Sequence, residues 1–172
     1  MKKTHDHYEM LLKIGSIPEK MILTQGCENL AEFVLHELCD EPCLAFDKMA
    51  FFIDNPDFNC FKGVVGVSHQ ERFSHNNTWN NVTDFSNHMK NARFNQSIRS
   101  ISRESAARNG NQWEPYINDL ARTITVHDHG WYVFSAKHGN TGLVIFTPNH
   151  LNDHGRMALA AGASLLGLCP VF

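Results

Sequence analysis

The sequence predicts an α+β fold, an antiparallel sheet flanked by helices, on three observations. Residues 131–137 and 143–147 are runs of branched and aromatic residues on either side of His138-Gly139-Asn140-Thr141-Gly142, a polar turn whose glycines allow the chain to reverse. Residues 44–53 and 59–68 are two more apolar runs, separated by the turn chemistry of Asp54-Asn55-Pro56-Asp57-Phe58. The stretches around these hairpins carry helical spacing.

Taken in order, residues 3–14 form a short helix, Ser16-Ile17-Pro18 interrupts it, and 19–24 form a second segment, so that 1–26 read as an N-terminal helical cover. In 27–38 the positions Leu30, Phe33, Val34 and Leu38 define one buried helical face, ended by Pro42. The first hairpin follows, and Gly63 and Gly66 inside its second strand mark a bulge or a close approach of another backbone or a ligand. Residues 69–81 are polar and read as a surface loop that dips Trp79 inward. Thr83 or Asp84 caps a helix with Phe85, Met89 and Ala92 on one face. Phe94, Ile98 and Ile101 are offset from that face, which implies a kink or two successive helices before Asn109-Gly110-Asn111. Residues 113–122 supply helical turns, 123–126 a strand, 131–147 the final hairpin, and 149–169 a closing helix. Its small and apolar face, Ala158, Gly162, Leu165, Leu166 and Cys169, suits close approach to a sheet.

With 172 residues the chain fits one domain, 1–172, and its 42% hydrophobic content supports one core. A net charge of -3 without long runs of one sign lacks the electrostatic footprint of a nucleic-acid binder. Contact with DNA is therefore expected only through an output domain absent from this chain. The five cysteines are odd in number and lack paired CxxC spacing, and no apolar run reads as a signal peptide or membrane span. These features predict a cytoplasmic protein with reduced thiols and no membrane partner.

No GxSxG, GxxxxGK[ST] or GxGxxG pattern is present, so no catalytic residue is assigned and no cofactor is expected. Candidate ligand-binding residues are Trp79, Phe85, Trp113, Tyr116, Trp131 and Phe134, because an indole or phenol offers a flat apolar wall with one polar tip. Strand alternation sends Trp131 and Phe134 to opposite faces, and the sequence does not choose between them. The alternative is a metal held by His127, His129, His150 and His154, whose i, i+2 and i, i+4 spacings suit a strand and a helix.

The stretch Gly130-Trp131-Tyr132-Val133-Phe134-Ser135-Ala136-Lys137-His138-Gly139-Asn140-Thr141-Gly142-Leu143-Val144-Ile145-Phe146 resembles the paired strands near the end of the autoinducer-binding domain of LuxR-type quorum-sensing regulators, within the wider GAF/PAS-like sensor group. That resemblance covers about the last third of the chain. It implies a ligand-sensing domain for a small apolar or amphipathic signal molecule, acting as a possible homodimer in transcriptional or signalling regulation. In that family two mid-domain tryptophans, a tyrosine and an Asp-Pro pair hold the lactone head of an acyl-homoserine lactone, and Trp79 and Trp113 stand where the tryptophans would be. The chain reads Asn80-Asn81-Val82-Thr83 and Arg93-Phe94-Asn95-Gln96 where the tyrosine and the acid would fall, so those roles are not carried over. Besides the sensor, two readings remain open: a His- or Cys-dependent metalloprotein, and a truncated regulator that acts by dimerisation.

Overall fold

The computed structural model describes residues 2–24, 26–73, 78–110, 113–148 and 150–170. The expected helix start at Asn149, Asn111 of the expected stop and positions 74–77 of the expected loop lie outside them. A mixed α+β fold results, in which the described strands form an antiparallel sheet of order β3-β2-β1-β5-β4 flanked by helices. The strands are β1 (Lys48–Asn55), β2 (Cys60–Ser68), β3 (Ser102–Arg103), β4 (Gly130–Ser135) and β5 (Thr141–Thr147).

Both expected hairpins form, β1 with β2 and β4 with β5, and β5 then pairs with β1 at the centre of the sheet. Phe51 and Phe52 of β1 are both fully buried but belong to different cores, because successive strand residues point to opposite faces. On the first face Met49, Phe51, Val65, Val67, Val144 and Phe146 pack beneath α1 (Lys2–Leu23), α2 (Leu30–Cys39) and α6 (Asp153–Leu166). On the second, Ala50, Phe52, Phe61, Leu143 and Ile145 meet α4 (Arg93–Arg99) and α5 (Trp113–Thr123).

Helix α1 is continuous across the segment where the sequence predicts an interruption. Pro18 removes one helical hydrogen bond and is exposed, whereas Ile14, Ile17 and Met21 on the other side of the helix are buried. Burying such side chains, at about 1.5–3 kcal/mol each, outweighs the roughly 3 kcal/mol cost of an interior proline. Lys13 of α1 is tied to Asp40 at 2.9 Å and Glu37 at 3.5 Å, and Lys20 to Glu37 at 3.5 Å, so α1 is docked on α2 by charge as well as by packing.

Gly63 and Gly66 satisfy both expectations at once. Phe51 pairs with Val65 and Phe52 with Gly63, which leaves Val64 as the extra residue of a bulge. A Cβ at Gly63 would stand 1.9 Å from the Ile98 carbonyl oxygen, so only glycine lets α4 lie this close to β2. The offset between Phe85 and Phe94 resolves into two helices, α3 (Val82–Asn91) and α4, broken by the extended ψ of 121° at Ala92.

One further expectation is corrected, one strand is new, and one approach is closer to a helix than expected. Residues 123–126 are not a strand: α5 runs to Thr123, the Val126 N–H donates to the Ala121 carbonyl at 2.9 Å, and Ile124 and Val126 are buried beside Leu120. Their branched side chains serve packing and not pairing. Strand β3, unforeseen because it has two residues, pairs with Phe61 and Lys62 at the start of β2. The small face of α6 makes its closest approach to a helix, a Cβ at Gly162 standing 2.5 Å from Leu38 of α2, while Ala158, Leu166 and Cys169 share the first core with the sheet.

Candidate ligand-binding cleft

The six aromatic candidates divide between the two faces of the sheet. Trp79 and Phe85 lie on the first face, gathered around Phe33 of α2 with ring centroids 5.0 and 4.3 Å away. Phe134 joins that side and stacks on Phe51 at 5.8 Å, with its ring over Gly142, where a Cβ would come within 2.4 Å. Trp113 and Tyr116 pack with the second core, Tyr116 edge-on to Phe61 at 5.0 Å. Trp131 pairs across the ladder with Ile145 of that second core and is 43% exposed, so the alternation puts it opposite Phe134. The expected convergence of Trp79 and Trp113 on one chamber is therefore not what the fold builds: a central strand stands between them.

The Trp79 indole has a structural partner, its Nε1–H donating to Glu37 Oε1 at 2.8 Å. Glu37 is buried and receives Lys13 and Lys20 from α1. Burying a carboxylate is costly unless such partners offset its lost hydration.

A large concavity lies elsewhere, at the end of the first core. It has a volume of about 740 Å³ and is framed by Asn29 just before α2, Ala31 and Glu32 of α2, Ile53 of β1, Lys62 and Val64 of β2, Ser86 and Lys90 of α3 and Arg99 of α4. None of the six aromatic candidates lines it. The bulge is what turns Val64 toward this side, and the glycine contact of β2 with Ile98 is what brings α4, and with it Arg99, to the rim.

Glu32 organises the floor. Its residue is only 3% exposed, yet both carboxylate oxygens are engaged: Oε1 accepts from Asn95 Nδ2 at 3.1 Å and from Arg99 Nη1 at 3.1 Å, and Oε2 accepts from Asn29 Nδ2 at 2.8 Å. Asn29 donates also to Ser86 Oγ at 2.8 Å, and Asn95 donates to the Met89 carbonyl at 2.8 Å while accepting the Gly66 N–H at 3.0 Å. This network joins α2, the segment before it, α3, α4 and β2. Its exposed terminus is Arg99, whose side chain is 53% accessible and presents guanidinium donors to the cleft. Against this polar end stand Ala31, Ile53 and Val64 as apolar wall. An amphipathic molecule matches that division, and the volume falls in the range of small-molecule sites, roughly 300–1,000 Å³.

Of the four alternative metal ligands, His150 and His154 share a second cleft of about 730 Å³ with His7, whose ring centroid lies 3.8 Å from that of His154. His127 and His129 precede β4 and do not line it. Among the described residues no group of three or more His, Cys, Asp or Glu side chains is placed to hold a metal ion. Cys39 and Cys43 are also unsuited to ligation in this state: burial pushes their thiols up to about 12 and about 11, well away from thiolate.

Among the described residues, no helix is long and apolar enough to cross a membrane. No protein-family model, curated protein or solved structure matches the chain.

Proposed function

We propose that this protein is a small-molecule sensor domain, GAF/PAS-like in its architecture and similar in role to the ligand-binding part of a quorum-sensing regulator, working in the cytoplasm. The observation that carries the reading is the cleft over Glu32: a drug-sized cavity with one apolar wall and one polar end built from elements far apart in the chain. The antiparallel sheet flanked by helices supports it, as a rigid platform from which a bound molecule can bias the helices around the cleft.

The proposed ligand is amphipathic. Its apolar part lies against Ala31, Ile53 and Val64, and its polar head accepts from Arg99 and exchanges hydrogen bonds with Asn29 and Ser86. Binding draws together α2, α3 and α4, whose side chains already meet on Glu32, and thereby transmits occupancy to an output partner. Binding, and not turnover, is the activity.

Native mass spectrometry of protein purified from its host, followed by extraction and identification of bound small molecules, tests this reading. A stoichiometric organic ligand is expected on the wild type and is lost in Arg99→Ala and in Ala31→Trp, the first removing the head-group donor and the second filling the cleft. In Arg99→Ala the buried Glu32 keeps its hydrogen bonds from Asn29 and Asn95, and circular dichroism checks that the variant is folded. A ligand that binds both variants as tightly as the wild type refutes the assignment of the cleft.

A further inference from the structure

Helix α1 carries two apolar stripes, and α2 and α6 cover only one of them. Met10, Ile14, Ile17 and Met21 are buried against the body of the protein. Tyr8, Leu11, Leu12, Ile22 and Leu23 are exposed by 62%, 53%, 56%, 63% and 79%. At ~100° per residue these five fall in one sector of about 120°, centred about 150° around the helix from the buried stripe. A helix that is apolar on two sides is a helix covered on two sides.

Gly15 lies midway along the exposed stripe. Tyr8 and Ile22 lie equally far before and after it, as do Leu12 and Pro18, and Leu11 and Glu19. Gly15 is exposed, and a Cβ there would meet nothing within 4 Å, so the centre of the stripe is its lowest point. We propose that this face is covered by the same face of a second copy of this chain, the two α1 helices crossing antiparallel with Gly15 on the two-fold axis.

Self-complementarity is what a two-fold interface requires. The antiparallel crossing sets Tyr8 of one copy against Ile22 of the other, while the missing side chain at Gly15 lets the axes approach to the short end of the ~8–10 Å range of packed helices. Glu19 is the one charged residue on the stripe. In this crossing the two Glu19 positions lie on opposite sides of the axis, ~12 Å apart along the helices, whereas a parallel pairing would set them against each other. The five side chains expose roughly 600 Å² per copy, so covering them completely in a pair removes at most about 1,200 Å², the lower end for a specific stable interface. A lipid surface is the poorer occupant: Lys13 and Lys20, the lysines of α1 whose side chains are among the described residues, are turned inward to Glu37 and Asp40.

Sedimentation of the full chain from about 1 to 100 μM, together with cysteine cross-linking, tests the proposal. The expected result is a concentration-dependent dimer whose dissociation constant rises about tenfold or more in Leu12→Glu and in Leu23→Glu, both exposed positions, with circular dichroism unchanged. Gly15→Cys is expected to give a covalent dimer on mild oxidation, while Asn91→Cys on α3 does not. A chain that stays monomeric across the range overturns the proposal. So does a dimer indifferent to both glutamates, or a monomer that instead sediments with vesicles of anionic phospholipid.

Discussion

Acidification should weaken this fold through His36 before it protonates most carboxylates. His36 is 4% exposed in the middle of α2, its ring edge-on to Phe85 with centroids 5.2 Å apart, and its Nε2 has no hydrogen-bond partner. Burial is the main reason that its pKa is lowered from 6.5 to about 4; Asp40 and Glu37 oppose the shift, and Arg72 and Lys13 reinforce it. A histidine that ionises less readily folded than unfolded stabilises the protein above pH 6.5, and that contribution is lost as pH falls through 6.5 toward 4. The loss from pH 7 is about 2 kcal/mol by pH 5 and about 3 kcal/mol by pH 4, a large fraction of an ordinary domain's stability. Urea unfolding followed by tryptophan fluorescence at half-unit pH steps measures it, with His36→Phe as the reference that keeps a ring but has no proton to gain. Despite its own burial, Asp40 is held below the usual carboxylate range by Lys13 and Arg72, so acid removes stability there too, in both proteins. The difference between the two curves isolates His36. Parallel curves from pH 7 to pH 4 would refute the reasoning.

Two other perturbations probe the packing. Gly63→Ala places a methyl 1.9 Å from a backbone carbonyl and should lower stability by about 3 kcal/mol in chemical denaturation, whereas Gly66→Ala meets only side-chain atoms of Ile98 and Phe94 at 2.5 and 3.0 Å and should cost about half as much. With a disulfide reagent at pH 8 the native protein should expose Cys27 and Cys60 to fast reaction, and Cys39, Cys43 and Cys169 only on unfolding, because those three are buried with thiols pushed up to about 12, 11 and 12.

The elements that sequence made legible are those whose signal is local. The spacing of Leu30, Phe33, Val34 and Leu38 marks α2, and branched residues flanking a polar turn mark β4 and β5, because each depends on neighbours a few positions away. The Gly63 and Gly66 pair was readable as a bulge or a close approach, since a glycine within a strand has few other uses. Residues 123–126 misled because Ile124 and Val126 satisfy a burial requirement at the end of a helix with the same branched side chains that a strand would use.

The candidate site was almost wholly hidden. Glu32 and Arg99 are 67 positions apart, and neither belongs to a motif; only the meeting of α2 with α4 makes them a pair. The aromatic residues drew attention by chemistry, yet large rings serve a core as readily as a pocket, and here they fill both cores. One buried charge did leave a trace. Glu37 follows Phe33 by four residues and Leu30 by seven, inside the apolar stripe of α2, a position that calls for partners such as Lys13, Lys20 and Trp79.

Asn95 has a consequence for how this sheet ends. Strand β3 covers β2 only at Phe61 and Lys62, and farther along, at Gly66, the N–H that would greet a neighbouring strand is already taken by the Asn95 side chain at 3.0 Å. A side-chain amide imitates one peptide group but cannot propagate a ladder, so a stray extended chain meets an interrupted template at that point. The same amide holds Glu32, so replacing Asn95 would loosen the cleft and bare an adhesive margin in one stroke.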